Sequence, residues 1–139
     1  ELWEPMGTCG SIGKLAVNFG TLYGIGSEEG GGAVYHLNDE KSWTRIASGN
    51  WHAISICSGR IYAIGRNDWI YQQSLDTLSP WSPWKWSIPA GGCKEGLAAL
   101  DGNSALGLRD GCLMHLSCNG AVPVRSKGLP DCRIVSVTI

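Results

Sequence analysis

The chain has 139 residues, 43% apolar and only 17% charged, against about 25% charged in an average globular domain. Eleven basic and twelve acidic residues leave a formal charge of −1. This argues against an electrostatic nucleic-acid binder, which needs a clustered excess of Lys and Arg, and against an acidic disordered tail. No run of 18 uncharged apolar residues occurs, so neither a membrane helix nor membrane insertion is expected.

Residue 1 is Glu and no signal-like apolar segment follows it, so a processed or trimmed product is expected. The first apolar segment, Leu2-Trp3-Glu4-Pro5-Met6, matches later ones at Trp43-Thr44-Arg45-Ile46 and Trp84-Lys85-Trp86-Ser87-Ile88. Between these lie three further kinds of segment. Lys14-Leu15-Ala16-Val17-Asn18-Phe19 corresponds to Ala53-Ile54-Ser55-Ile56-Cys57 and to Leu97-Ala98-Ala99-Leu100. Leu22-Tyr23-Gly24-Ile25-Gly26 matches Ile61-Tyr62-Ala63-Ile64-Gly65 and, more weakly, Ala105-Leu106-Gly107-Leu108-Arg109. Ala33-Val34-Tyr35-His36 corresponds to Trp69-Ile70-Tyr71-Gln72 and Cys112-Leu113-Met114-His115.

From Trp3 to Trp43 is 40 residues and from Trp43 to Trp86 is 43. Four short strands, A to D, per period of about 40 residues predict an all-β chain of β-propeller blades. Repeats are placed at 1–42, 43–83 and 84–121, with a partial one at 122–139, all within one domain, 1–139. Pro5 and Pro89 fall in D, an edge strand that tolerates a missing N–H. Phe19-Gly20-Thr21, Ser58-Gly59-Arg60 and Asn103 supply A–B turns. No segment sustains a 3.6-residue period, so helix is excluded. Three whole units, an opening D and a closing A strand at 133–139 do not complete a ring of four to eight blades. A homo-oligomer, a second chain of a cleaved protein or a longer parent is therefore expected to complete it. A single-chain barrel or sandwich is the alternative.

The six cysteines, at 9, 57, 93, 112, 118 and 132, have no zinc-finger spacing, so no metal site is expected. They suit either disulfides in a secreted, extracellular protein, the favoured reading, or small buried hydrophobes in a reduced one. Cys57, on an inner strand, is read as buried and inert. Cys112 and Cys118 on one strand would lie about 20 Å apart and could not pair.

Residues 43–73, with Trp43-Thr44-Arg45-Ile46-Ala47-Ser48-Gly49, Arg60-Ile61-Tyr62-Ala63-Ile64-Gly65-Arg66-Asn67 and Trp69-Ile70-Tyr71-Gln72, resemble the tectonin repeat. Residues 1–42 resemble it less closely and 84–121 weakly, with Met114 in place of Tyr35 and Tyr71. The family includes fish-egg lectins and horseshoe-crab tachylectins, so the resemblance implies a propeller that binds carbohydrate on microbial or egg surfaces. The Gly-x-[Ile/Leu]-Tyr-x-Ile-Gly core is also similar to the repeat of chromatin-exchange-factor-type propellers, whose implied role is protein interaction.

In a meandering blade the D–A and B–C loops share one end. For the second unit these loops contain Asn50, Trp51, His52, Arg66, Asn67, Asp68 and Trp69, the predicted carbohydrate site. An aromatic plane covers a sugar's C–H face while amides and charged groups bind its hydroxyls. Other blades offer Glu28, Glu29, Lys94, Glu95, Arg109 and Asp110 there, without aromatics. Trp3, Trp43 and Trp86 recur with the repeat and read as packing. Trp51 and Trp69 do not recur, and suit either ligand or interface contact. Trp81 reads as an anchor of the Pro80–Pro83 loop. His36 and His115 share one strand position and read as hydrogen-bonding residues rather than metal ligands.

No HExxH, GxSxG or GxxxxGK[ST] motif occurs, and Asp68 and Asp110 read as turn residues, so no enzyme and no cofactor are expected. The predicted function is multivalent glycan recognition, in innate defence; the alternative is a protein-interaction propeller.

Overall fold

The computed structural model describes residues 12–18, 20–26, 32–77, 85–101 and 103–124. Its strands form three four-stranded antiparallel sheets, each a simple meander of consecutive strands. The first contains β1 (Ile12–Asn18), β2 (Thr21–Gly26), β3 (Gly32–Leu37) and β4 (Trp43–Trp51). The second contains β5 (Ala53–Cys57), β6 (Arg60–Ile64), β7 (Trp69–Ser74) and β8 (Lys85–Pro89). The third contains β9 (Gly96–Asp101), β10 (Ser104–Arg109), β11 (Cys112–Ser117) and β12 (Gly120–Pro123). These are the three predicted A–D sets, and no sheet closes on itself as a barrel would. The opening segment 2–6 with Trp3 and Pro5, Cys9, Glu28, Glu29, the Trp81 loop, Cys132 and the strand predicted at 133–139 lie outside the described residues, as does the Trp86 side chain.

Turn chemistry sets the hairpins. Ser58 and Gly59 (φ 51° and 73°) and Asp110 and Gly111 (φ 50° and 78°) both take left-handed backbone, as two-residue type I′ turns require. The predicted D strand at 43–46 is longer than expected, because β4 bulges against β3. From Val34 back to Gly32, β3 moves two residues while its partner runs from Ala47 to Trp51. The surplus bends the strand end and keeps Asn50 and Trp51 on it.

The second sheet lies between the other two and is buried on both faces. Ile54, Ile61 and Ala63 pack with Tyr23, Ile25, Val34, Ile46 and Ala47 of the first sheet. Ala53, Tyr62, Ile64, Ile70 and Ile88 pack with Leu97, Ala99, Ala105, Met114 and Leu116 of the third. In β6 the two sets alternate, as the strand's two-residue period demands, and the run Ile61–Ile64 is buried throughout. The first strands stand together, β5 lying against both β1 and β9, and the Ala99 amide donates to Ser55 Oγ at 3.0 Å. On the end sheets, Leu15 and Val17 are 58% and 64% exposed and Val122 is 56% exposed. Their neighbours Ala16 and Ala121 pack inward, so these side chains point away from the middle sheet.

The expected disulfide framework is not found among the described residues: Cys57, Cys93, Cys112 and Cys118 are free thiols. Cys93 is fully buried, and its Cβ and Sγ would each lie 2.8 Å from a Cβ added at Gly107. Burial pushes its pKa up to about 11, which suppresses the reactive thiolate. Cys57 is half-buried, and its thiol donates to the Leu100 carbonyl at 3.4 Å. Cys112 opens β11 and Cys118 follows its end, which keeps them apart as the strand spacing requires.

Ile64→Ala is expected to cost about 2–5 kcal/mol in urea denaturation, whereas Leu15→Ala stays within about 0.5 kcal/mol; equal losses would contradict the two-faced core. Peptide-resolved labelling with a maleimide should modify Cys112 and Cys118 in the native protein and Cys93 only after unfolding.

Candidate functional site

At the seam between the first and second sheets, the end of β4 meets the β6–β7 turn. Two glycines make the meeting possible. Gly49 has φ +124°, and an added Cβ would sit 3.5 Å from Trp51 Nε1. A Cβ at Gly65 would come within 2.9 Å of the Tyr71 ring and 3.1 Å of Asn67 Oδ1, so both side chains lie directly on bare backbone. The resulting surface pocket has a volume of about 230 Å³ and is lined by Gly49, Asn50, Trp51, Gly65, Arg66, Asn67 and Tyr71. It is smaller than the roughly 300–1,000 Å³ of drug-sized ligand sites, which suits a single ring.

Trp51 and Tyr71 meet edge to face, with centroids 5.5 Å apart and planes at 86°, a favoured aromatic geometry. Trp51 is half-buried, packs against the core shared by the two sheets, and its Nε1–H donates to the Ser48 carbonyl at 3.3 Å. Asn67 Nδ2 donates to the Tyr71 hydroxyl at 2.6 Å, while its Oδ1 accepts from the Trp69 amide at 3.3 Å. The Asn67 amide is therefore held at both ends, and one N–H of its Nδ2 group remains to be donated. Asn50 and Arg66 are exposed at the rim.

Of the seven predicted site residues, Asn50, Trp51, Arg66 and Asn67 line this pocket; His52, Asp68 and Trp69 do not. Asp68 (φ 67°) turns its carboxylate to the linker before β9, where Oδ1 and Oδ2 accept from the Gly92 amide at 2.9 and 3.1 Å. Its carbonyl accepts from the Ala90 amide at 2.8 Å. Trp69 opens β7 opposite Pro89. His52 lies in the β4–β5 linker, and its carbonyl accepts from the Lys14 ammonium, which also donates to the Lys94 carbonyl at 2.7 Å. One half-buried ammonium thus joins β1 to the chain leading into β5 and β9. Burial lowers the Lys14 pKa, and Glu95 opposes that shift. In the third sheet the charges brace loops: Arg109 Nη1 donates to the Gly91 carbonyl at 2.9 Å and Glu95 Oε1 accepts from the Gly111 amide at 3.2 Å.

Tyr71, Gly49 and Gly65 were not among the predicted residues. Tyr71 recurs as Tyr35 and so reads as packing; the glycine at position 65 was the available signal for close approach. A second cavity, of about 310 Å³, opens at the other end of the same seam beside Tyr23, His36, Asp39 and Leu75. His36 lies next to the Tyr23 ring, at 6.3 Å between centroids. Asn38 there braces its own loop, Oδ1 accepting from the Glu40 and Ser42 amides. No cluster of three or more metal-ligating side chains occurs among the described residues.

No family model, curated protein or solved structure matches the chain.

Burial, followed by the Lys94 and Lys14 ammoniums, holds His52 below its ordinary pKa of 6.5, with Asp68 opposing. As pH falls through 6.5 the unfolded chain binds the proton first, so His52 contributes stability that is present above that pH and lost on acidification. His52→Gln should flatten the decline of the urea midpoint between about pH 7 and pH 5; an unchanged slope would count against this assignment.

Proposed function

We propose that the chain is a non-enzymatic carbohydrate-binding protein built from tectonin-like propeller blades, acting outside the cell in surface recognition. The observation that carries this reading is the seam pocket, where Trp51 and Tyr71 meet the amides of Asn50 and Asn67. An aromatic wall for a sugar's C–H face beside held hydrogen-bonding groups is the chemistry a monosaccharide needs. The placement of β5 between β1 and β9 supports a radial arrangement of the three sheets about a common axis. The apolar side chains on the outward faces of the end sheets support further blades, from a second copy or a second chain.

At the seam between the second and third sheets, the corresponding places hold Gly92, Cys93, Arg109 and Met114, which supply no aromatic plane. Multivalency then rests on copies of the Trp51 seam brought together by assembly, where a few weak contacts on a rigid face gain avidity of about 10² or more.

A glycan array competed with free monosaccharides tests the reading. Binding is expected to be displaced at millimolar sugar, and Trp51→Ala should abolish the sugar-induced change in tryptophan fluorescence while leaving the circular dichroism spectrum intact. A protein that ignores every sugar but captures a polypeptide ligand would instead be the interaction scaffold.

A further inference from the structure

We propose that the Trp51 seam pocket selects acidic saccharides, with Arg66 receiving the carboxylate of a hexuronic acid residue whose ring rests on Trp51. The inference rests on the carbohydrate reading above and names its ligand class. The first observation is the charge of the lining. Of the seven residues around the pocket, Arg66 alone carries a formal charge; the others are two glycines, two amides, a tryptophan and a tyrosine. A site for a neutral sugar gains from a carboxylate, which accepts from paired hydroxyls. The nearby candidate, Asp68, is turned away, with both oxygens on the Gly92 amide. Arg66 has no such partner: it makes no hydrogen bond or ion pair with any described residue.

A second observation is what stands behind the tryptophan. The Lys14 ammonium donates to the carbonyl of His52, the residue next to Trp51, so the near side of the linker carries positive charge as well. Glu95, whose Oε1 accepts from the Gly111 amide, is the counter-charge that acts on this ammonium. The pocket thus faces an incoming ligand with aromatic carbon, amide groups and one guanidinium.

Chemistry then narrows the ligand. A hexuronate carries its carboxylate on the exocyclic carbon at the ring edge. A ring seated on Trp51 in a pocket this small presents that edge to the rim, where the guanidinium fork matches two carboxylate oxygens. Asn50 and the remaining Asn67 N–H are left for ring hydroxyls.

The test is fluorescence or calorimetric titration of the intact chain with the methyl glycosides of glucuronic, galacturonic and mannuronic acid, each against its neutral hexoside. At least one uronide is expected to bind about tenfold or more tighter than its neutral counterpart, with the advantage shrinking as salt rises from 20 to 500 mM (~20 to ~4 Å screening). Arg66→Gln should bring the acidic-to-neutral affinity ratio down to about one, and Arg66→Lys should retain only part of the preference. Equal binding of acidic and neutral glycosides, or a preference that survives Arg66→Gln, overturns the proposal and leaves the carbohydrate reading standing. No binding of either class overturns both.

Discussion

The structure depends on a sheet that is covered on both sides. Strand β6 supplies the constraint: Ile61 and Ala63 face one neighbour, and Tyr62 and Ile64 face the other. A strand that alternated apolar and polar residues would leave one face wet, as in many antiparallel sheets. Here every position of the run is apolar, so the hydrophobic effect is satisfied only when a sheet lies on each side. The end sheets follow from it. Each presents one apolar face to the middle sheet, and β1 and β12 also carry Leu15, Val17 and Val122 on the side away from it.

Stacking sheets in this way creates seams, and the seams create the pocket. Successive connections in a meander fall at alternate ends, so the end of β4 and the β6–β7 turn are brought to the same end of adjacent sheets. What they form there depends on small residues. Gly65 lets the Tyr71 ring and the Asn67 amide rest on backbone, and the bulge in β4 carries Trp51 far enough to meet Tyr71 edge-on. Asn67, fixed by one bond to Tyr71 and another from Trp69, is ordered before any ligand arrives, which lowers the entropy cost of binding.

Charged groups near the seam divide by task. Asp68, Arg109 and Glu95 hold loops against linkers, and Lys14 holds three segments together through two carbonyls. A buried or half-buried charge that is fully partnered stabilises a particular arrangement of backbone and is poorly placed to recognise a ligand as well. Arg66, at the rim and without such a bond to any described residue, stands apart from them.

Much of the fold was legible in the chain itself. The Tyr62-Ala63-Ile64-Gly65 core and its echoes, the Ser58-Gly59 turn and the absence of any 3.6-residue period determine the three four-strand meanders of the described residues, because alternation, turn chemistry and chain length are local properties. The gathering of Asn50, Trp51, Arg66 and Asn67 was also legible, since it follows from which loops share an end. Tertiary structure alone decided the rest. Whether the Asp68 carboxylate points at a ligand or at Gly92, whether Tyr71 packs or lines a pocket, and whether the four described cysteines pair all depend on which atoms lie across a seam. Those distances are set by the packing of one sheet on another, and no residue carries them in its own identity or in that of its neighbours along the chain.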